Sequence, residues 1–352
     1  MRYLILMTTA CALSFGAAQA APAPFKDPID MPAPVTRLAA STQLSAVTLA
    51  GKRLVAVGIR GLIITSDDDG ASWTQRAAPV SSDLLAVHFP TPAMGWAVGH
   101  DGVVLHSSDA GVSWVRQFDG RQAATQLQAH FAQLAAGGDE NAKRLQDEMK
   151  LNYENGPEQA LLDVWFSDAQ HGFACGSFGT LLATSDGGKT WESWIEKVDY
   201  GSLLHLNALR GIGDGVYIGS EKGIVFRLDR ARQRFVPVQT GYAGSFFSLA
   251  GHGSTVIAGG LRGSTYRSTD SGATWSRLDT GLLGAVTAAL SLAPGKLLIV
   301  SQGGDVLLSR DDGASFSAQK VAHPTLFSGV AAIGQEKAIL VGAKGVQQIG
   351  LK

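Results

Sequence analysis

An octet with the pattern S/T-x-D-x-G-x-S/T-W/F recurs along the chain and constrains the fold more than any other feature of the sequence. Its copies begin at Ser66, Ser107, Thr184, Ser268 and Ser309. A degenerate copy ends at Phe235, and in it Arg230 and Arg232 replace the Asp and the Gly. Self-similarity at a fixed period is the sequence signature of solenoids and propellers.

The spacing of the units selects between these architectures. Each octet follows a short apolar segment that opens with a glycine, and the seven glycines are Gly61, Gly102, Gly179, Gly223, Gly263, Gly304 and Gly345. Successive glycines are 41, 77, 44, 40, 41 and 41 residues apart, so the long interval holds one unit and an insertion. Units of this length are typical of four-stranded propeller blades. The sequence therefore predicts an all-β fold, a seven-bladed β-propeller spanning residues 33–352.

The residue types of the octet are those of a tight turn between the third and fourth strands of a blade. A short Asp side chain accepts hydrogen bonds from backbone N–H groups, and Gly takes the positive φ. The final aromatic residue is expected to bury its ring between neighbouring sheets. The octet aspartates are therefore predicted to be structural and not catalytic: Asp68, Asp109, Asp186, Asp270 and Asp311.

The seventh unit, residues 338–352, ends without an octet. An open last blade would expose a sheet edge, which propellers normally protect. Residues 35–38 precede the first unit, and we expect them to close the ring as the missing outer strand.

The long interval places an insertion, residues 120–157, between the outer strand of blade two and the inner strand of blade three. Leu127, Phe131 and Leu134 follow one another at helical spacing, which predicts an amphipathic helix ending before Gly137-Gly138. Asp139 can cap a second helix. The apolar stripe of these helices either packs on the propeller or forms a partner-binding arm.

The N-terminus has the features of a signal peptide, residues 1–20. Arg2 precedes an apolar segment, and Ala18-Gln19-Ala20 is an A-x-A site that predicts cleavage after Ala20. The segment is too short for a transmembrane span. We therefore expect a periplasmic protein without direct membrane insertion after cleavage. Its remaining cysteine, Cys175, could then form no intrachain disulfide and is expected to be buried and inert.

The full repeat unit carries a family resemblance. Residues 84–89, followed by the turn at 95–99, recur as residues 161–166 followed by 172–176, and each pair precedes an octet. The octet is the Asp-box, or bacterial-neuraminidase repeat. The whole unit resembles the photosystem II stability/assembly-factor propellers and their relatives in non-photosynthetic bacteria, over about residues 35–350. This resemblance implies a non-catalytic scaffold or assembly factor for an envelope or membrane protein complex, without cofactor or metal.

A docking surface is predicted on the turns between second and third strands. The residue before the marker glycine is basic in four units, at Arg60, Lys222, Arg262 and Lys344, and acidic in one, at Asp101. On one face of a propeller these residues would form an electropositive rim for an acidic partner, although ordinary solvated turn residues give the same pattern. The formal net charge of −1 gives no general attraction to nucleic acid. We expect a monomer whose partner is a membrane or envelope protein.

Two alternatives come from other functional classes: an Asp-box glycoside hydrolase of the sialidase type, and a glycan-binding module. A sialidase needs an arginine triad and a tyrosine nucleophile, and Arg60, Arg210, Arg262 and Tyr266 are spaced in no pattern that matches one. The sequence also contains no H-E-x-x-H, G-x-S-x-G or P-loop motif. These observations favour docking over catalysis.

Overall fold

The fold is a seven-bladed β-propeller, as the repeats predict. The structure is a computed structural model that describes residues 26–352, so the predicted signal peptide lies outside the described residues. Seven antiparallel sheets follow one another along the chain, six with four strands and the last with three. Strands within each sheet pair in sequence order, which is the meander expected of propeller blades.

The first four blades contain sixteen strands. Blade 1 consists of β1 (Leu44–Ala50), β2 (Arg53–Gly58), β3 (Ile63–Ser66) and β4 (Thr74–Arg76). Blade 2 consists of β5 (Leu84–His88), β6 (Gly95–Gly99), β7 (Val104–Ser107) and β8 (Val115–Phe118). Blade 3 consists of β9 (Leu161–Phe166), β10 (Gly172–Gly176), β11 (Leu181–Thr184) and β12 (Glu192–Ser193). Blade 4 consists of β13 (Leu206–Ile212), β14 (Gly215–Ser220), β15 (Ile224–Asp229) and β16 (Arg234–Gln239).

The last three blades contain eleven strands. Blade 5 consists of β17 (Phe246–His252), β18 (Thr255–Gly260), β19 (Thr265–Ser268) and β20 (Ser276–Leu278). Blade 6 consists of β21 (Val286–Ala293), β22 (Lys296–Ser301), β23 (Val306–Ser309) and β24 (Ser317–Ala318). Blade 7 consists of β25 (Phe327–Ile333), β26 (Lys337–Gly342) and β27 (Gly345–Gly350). Short 3-10 turns precede β1 and lie in several hairpins.

The first strand of every blade lines a central channel of about 460 Å³. The second and third strands supply most of the core, which lies between neighbouring sheets and is built from Val, Ile, Leu and Phe. Each inner strand starts with an irregular register against its neighbour, as between Leu44 and Ala46 in blade 1. Such bulges increase the local twist of a strand.

The Asp-box turns have the geometry that their residue types predict. In blade 6, Asp311 Oδ1 accepts hydrogen bonds from Ser309 Oγ (2.8 Å) and from the Ser315 N–H (2.9 Å). The hydroxyl of Ser315 donates to Asp311 Oδ2 at 2.6 Å. The other four octets repeat this pattern with hydroxyl–carboxylate distances of 2.6–2.7 Å. The aspartates therefore hold the turns together as the sequence predicts.

Blade 4 replaces the Asp-box by a plain hairpin. Asp229 Oδ1 accepts from the N–H groups of Ala231 and Arg232 at 3.0 Å, which closes a short Asx turn. β15 and β16 then pair over six positions, from Ile224↔Gln239 to Asp229↔Arg234. The hairpin continues in the plane of its own sheet, whereas an Asp-box turn reaches toward the preceding blade.

The insertion folds as two helices, α1 (Gly120–Ala136) and α2 (Glu140–Asn152), between blades 2 and 3. Asp119 caps α1 through a capping box with Gln122, and Asp139 caps α2 by accepting from the Ala142 N–H at 3.0 Å. These boundaries agree with the helices predicted from the apolar spacing.

The predicted closure by residues 35–38 is wrong. Blade 7 has three strands, and Val35 and Leu38 are 93% and 68% exposed. The N–H of Thr36 donates to Gln75 Oε1 of β4 at 2.9 Å, so this segment is fixed to blade 1 and cannot pair with β27. Packing between the inner strands of blades 7 and 1 closes the ring, with Ser328 Oγ donating to Leu44 O at 2.7 Å.

The helices of the described residues are not membrane spans: none of them combines the length and the apolar character needed to cross a bilayer.

Replacement of an Asp-box carboxylate tests the stabilising role of the turn. Hydrogen bonds from Ser315 and Ser309 lower the pKa of Asp311 from 3.8 to about 2. The carboxylate therefore stabilises the fold above about pH 4, and its contribution is lost as the pH falls toward about 2. Asp311→Ala should lower the free energy of unfolding at neutral pH by about 1–2 kcal/mol. Chemical denaturation checks this.

The control is Asp147→Ala on the exposed surface of α2. An equal loss of stability in both variants, or a loss from Asp311→Ala that persists unchanged at pH 2, would contradict the assignment.

Candidate functional site

The propeller presents two different faces. One face carries the hairpin turns between second and third strands, the connections between blades and both helices, and we call it the insertion face. The Arg60 N–H donates to Asp83 Oδ1 of the blade 1–blade 2 connection at 2.6 Å, which places turn and connection together. The opposite face carries the Asp-box turns, and we call it the Asp-box face.

Five of the seven turns on the insertion face share one backbone conformation, and the turns of blades 6 and 7 differ from it. Arg60, Asp101, Phe178, Lys222 and Arg262 have φ between 49° and 59°, and a glycine with positive φ follows each. Two successive residues with positive φ define the type I′ turn that matches the twist of a β-hairpin. At the second position only glycine fits: a Cβ on Gly61 would lie 2.1 Å from the carbonyl oxygen of Val80. The side chain of the first residue is left to project from the face.

The four predicted basic residues, Arg60, Lys222, Arg262 and Lys344, are all exposed. Within residues 26–352 none of them forms an ion pair with a carboxylate. They lie at hairpin tips one strand outward from the channel wall, so they flank the channel mouth.

Carboxylates that the sequence interpretation did not consider lie beside two of the basic residues. Asp83 accepts the Arg60 N–H, and Glu221 precedes Lys222 and accepts the His205 N–H at 2.9 Å. Arg262 and Lys344 instead follow Leu261 and Ala343. Arg262 and Lys344 therefore have no acidic residue directly before them in the chain, although Asp279 and Asp305 lie on the same face, in the connection after blade 5 and in the hairpin turn of blade 6.

A further cation lies on the channel wall itself. Arg210 of β13 donates from Nη1 to Asp163 Oδ2 at 2.5 Å, and the Leu209 N–H donates to the same oxygen at 2.8 Å. Asp163 outweighs the effect of burial and raises the pKa of Arg210. The Arg210 side chain faces the channel and is 42% accessible, whereas Asp163 is buried.

Arg210 lies at the same level of the channel as His88 and Trp165, because each is the fifth residue of its inner strand. In blade order the fifth residues are Thr48, His88, Trp165, Arg210, Ala250, Leu290 and Ala331. Blades 2 to 4 thus place their large or polar side chains at one level, and His88 Nδ1 accepts the Phe166 N–H at 3.2 Å. Burial and Arg210 lower the pKa of His88 to about 3, which keeps it neutral. Aligning the inner strands is the signal that could have identified this group.

The residues considered for a sialidase are not brought together. Arg60 and Arg262 lie at hairpin tips in blades 1 and 5, and Arg210 lies on the channel wall in blade 4. Tyr266 is buried on β19 beside Phe246, with ring centroids 5.8 Å apart. Among the described residues, no group of three or more His, Cys, Asp and Glu is arranged to hold a metal ion.

Cys175 is buried, as expected. Its Sγ donates to Leu206 O at 3.3 Å, and burial and Asp163 raise the pKa of the thiol.

Most of the large apolar side chains of the helices face the propeller. Leu127 and Phe131 are 2% and 0% exposed and pack with side chains of blades 2 and 3, and Leu134 is partly buried against the same cluster. This geometry corresponds to the packing alternative. Partner binding by Leu127, Phe131 and Leu134 stays a prediction that would require the helices to leave the propeller.

One family model matches the chain. It is described as photosynthesis system II assembly factor YCF48, and it matches residues 47–123 and 139–315. The unmatched stretch between these segments, residues 124–138, covers most of α1 and the two glycines that follow it. No curated protein sequence matches the chain.

Several solved structures have the same fold. YCF48 bound to D1 peptide is 15% identical, with 94% of this chain and 99% of that chain covered and a TM-score of 0.65. YCF48 from Cyanidioschyzon merolae is 14% identical, with 90% and 97% covered and a TM-score of 0.61. U3-55K is 9% identical, with 88% and 96% covered and a TM-score of 0.64. At these identities the likeness shows the fold alone.

Removal of Asp163 tests how the channel cation is held. Asp163→Ala removes the carboxylate that accepts from the Arg210 guanidinium and the Leu209 N–H, and in the described part of the chain it leaves Arg210 only the Leu209 carbonyl oxygen as acceptor. Because an uncompensated cation in the fold is destabilising, we expect the free energy of unfolding to fall by about 2–3 kcal/mol. Arg210→Ala should cost less, since Asp163 keeps its bonds to two backbone N–H groups. Denaturant titration of both variants measures the difference, and equal losses would contradict this account.

Proposed function

The chain belongs to the photosynthesis system II assembly factor YCF48 family, and on that premise we propose that it is an exported, non-catalytic scaffold for an envelope or membrane protein complex. It acts as a monomer, by docking, and uses no cofactor. YCF48 itself has been solved with a D1 peptide bound. By analogy, the partner here presents a peptide segment to the propeller.

The observation that carries the proposal is the exposure of unpaired basic side chains at blades 5 and 7. Arg262 and Lys344 project from the insertion face without an ion-pair partner among residues 26–352. Exposed charges of this kind steer and orient an oppositely charged partner more than they add affinity. An acidic segment of the partner is therefore the chemistry that fits this sector.

The helices add a polar surface to the same face. Most of their large apolar side chains are buried, and apart from Leu151, which is 65% exposed, the outer surface consists of residues such as Gln128, Lys143 and Lys150. Most of α1 lies outside the family match. We infer that the helical pair contributes partner specificity through this polar surface.

Export requires the N-terminal segment to be removed without disturbing the fold. The first ion pairs among the described residues lie beyond the predicted cleavage site: Arg121 at the start of α1 donates to Asp27 at 2.7 Å and to Asp30 at 2.9 Å. A chain beginning at Ala21 retains both ion pairs. The fold is therefore compatible with the cleavage after Ala20 that the A-x-A site predicts, and a periplasmic location is part of the proposal.

Charge reversal tests the docking surface. The double variant R262E/K344E should lose a partner that the tagged mature protein captures by crosslinking from membranes of its own host, because the docking sector becomes acidic. The matched control is K52E/K337E, which reverses two exposed lysines at the turns between first and second strands on the Asp-box face. Capture should also weaken as salt increases. Retention of the same partner by R262E/K344E would overturn the proposal.

N-terminal sequencing tests export. Protein isolated from the periplasmic fraction of the host should begin at Ala21, and Ala20→Arg should block processing because the cleavage site needs a small residue there. The control is Ala23→Arg, beyond the site, which should be processed normally. An intact Met1 N-terminus on cytoplasmic wild-type protein would contradict export.

A further inference from the structure

The junction between blades 3 and 4 is built differently from its neighbours on the Asp-box face. At four other junctions a carbonyl oxygen of the Asp-box turn accepts a hydrogen bond from the preceding blade. These bonds are Arg53 Nη1 to Ala110 O (3.3 Å), Gln117 Nε2 to Gly187 O (3.1 Å), Tyr217 OH to Ser271 O (3.0 Å) and Arg267 Nε to Asp312 O (2.8 Å). Each turn thereby covers the groove between its own blade and the one before.

The residue beneath each covering turn shows the effect. Val55, Trp96, Tyr217 and Ile257 occupy equivalent positions on the second strands of blades 1, 2, 4 and 5, and each is 0–1% exposed. The equivalent residue of blade 3, Phe173, is only half-buried. Blade 4 has no Asp-box turn to place over Phe173 and this groove is open, whereas the equivalent Leu298 at the junction with blade 7, which also lacks the turn, is 0% exposed.

The side of the groove formed by blade 3 also differs from the corresponding side of the covered junction between blades 2 and 3. Trp194 stands where blade 2 has Gln117, the hydrogen-bond donor of the covered junction. Its ring packs edge-to-face on Phe173, with centroids 4.9 Å apart and an interplanar angle of 75°. Together with Trp165, these rings line a groove of about 390 Å³. That volume and this mixture of aromatic wall and polar rim are typical of small-ligand sites.

The polar rim carries both signs of charge. Asp168, His171 and Glu192 of blade 3 face Arg230 and Gln233 of blade 4 across the groove. The carboxylate of Asp168 accepts from the N–H groups of Gln170 at 2.7 Å and His171 at 2.9 Å. Burial opposes its ionisation, but these bonds prevail and lower the pKa of Asp168 to about 2, so the carboxylate is charged at neutral pH.

We propose that this groove binds a neutral sugar ring. A sugar presents C–H groups on one face, which suit the aromatic wall of Trp165 and Phe173, and hydroxyl groups at its edge, which suit a rim of acceptors and donors. Asp168 and Glu192 disfavour an anion, and Arg230 disfavours a cation. An aromatic side chain of a partner protein would match the wall but would leave the carboxylates facing apolar groups.

The site is independent of the docking surface, because it lies on the opposite face and uses none of the same residues. Binding of a sugar there would anchor or orient the propeller while the insertion face remains free.

The experiment uses the mature protein and three soluble probes. N,N′-diacetylchitobiose and maltose are neutral disaccharides, and N-acetyltryptophanamide represents an aromatic side chain of a protein partner. Saturation-transfer NMR detects binding, and tryptophan fluorescence follows the titration. We expect at least one disaccharide to bind with a Kd of about 1 mM, and the tryptophan derivative to bind more weakly.

Variants locate the binding. Phe173→Ala and Trp165→Ala should each weaken the disaccharide by about tenfold, and Glu192→Gln should weaken it less because an acceptor oxygen remains. Phe178→Ala is the matched control, since it removes an aromatic side chain that is 45% exposed on the insertion face. Thermal unfolding of every variant separates lost binding from lost folding.

The proposal is overturned if neither disaccharide binds the wild-type protein saturably, or if both groove variants fold and bind as the wild type does. Tighter binding of N-acetyltryptophanamide at the same residues would also overturn it, in favour of a protein partner. Should the alanine variants unfold, Phe173→Leu and Trp165→Phe replace them, with weakened binding again expected and unchanged binding again contradicting the proposal.

Discussion

A carboxylate that accepts hydrogen bonds from a hydroxyl before it and from a hydroxyl and an N–H group after it determines much of this structure. In each Asp-box the aspartate fixes the path of the chain from the third to the fourth strand. That path carries the turn over the preceding blade, where its carbonyl oxygen accepts a bond from the neighbouring sheet. A local turn therefore sets the contact between blades. At the junction between blades 3 and 4, where blade 4 has lost the turn, the groove between the two sheets is open.

The sequence was sufficient for the repeat architecture because that architecture depends on local chemistry. The spacing of the glycines predicted seven blades, and the apolar spacing around Leu127 together with Asp139 predicted both helices. These signals lie within a few residues of the structure they specify. The prediction about ring closure depended instead on which distant part of the chain bonds to residues 35–38. The Thr36 N–H bonds to Gln75 of blade 1, and no local pattern in residues 35–38 indicates that preference.

The candidate functional residues likewise divide into those that local sequence patterns predict and those that only the tertiary structure brings together. The hairpin pattern identified Arg60, Lys222, Arg262 and Lys344 as exposed turn residues, and the structure places them there. It also adds Asp83, which comes near through the connection between blades 1 and 2, and Glu221, which directly precedes Lys222 in the chain. Arg210 and Asp163 lie 47 residues apart and meet only because successive inner strands line one channel. Pairings of this kind follow from the curvature of the ring, so sequence spacing alone does not reveal them.

The hairpin turns of the insertion face have a consequence for how such a surface can diversify. Five different turns place an arginine, an aspartate, a phenylalanine, a lysine and an arginine on nearly the same backbone angles. The following glycine fixes the conformation, and the preceding side chain is free to vary among residues that tolerate positive φ. The backbone shape of the face is therefore independent of its charge: mutations at the first turn residue can change the electrostatic pattern while the backbone conformation of the turns stays the same. Paralogues could exchange clients in this way without remodelling the scaffold.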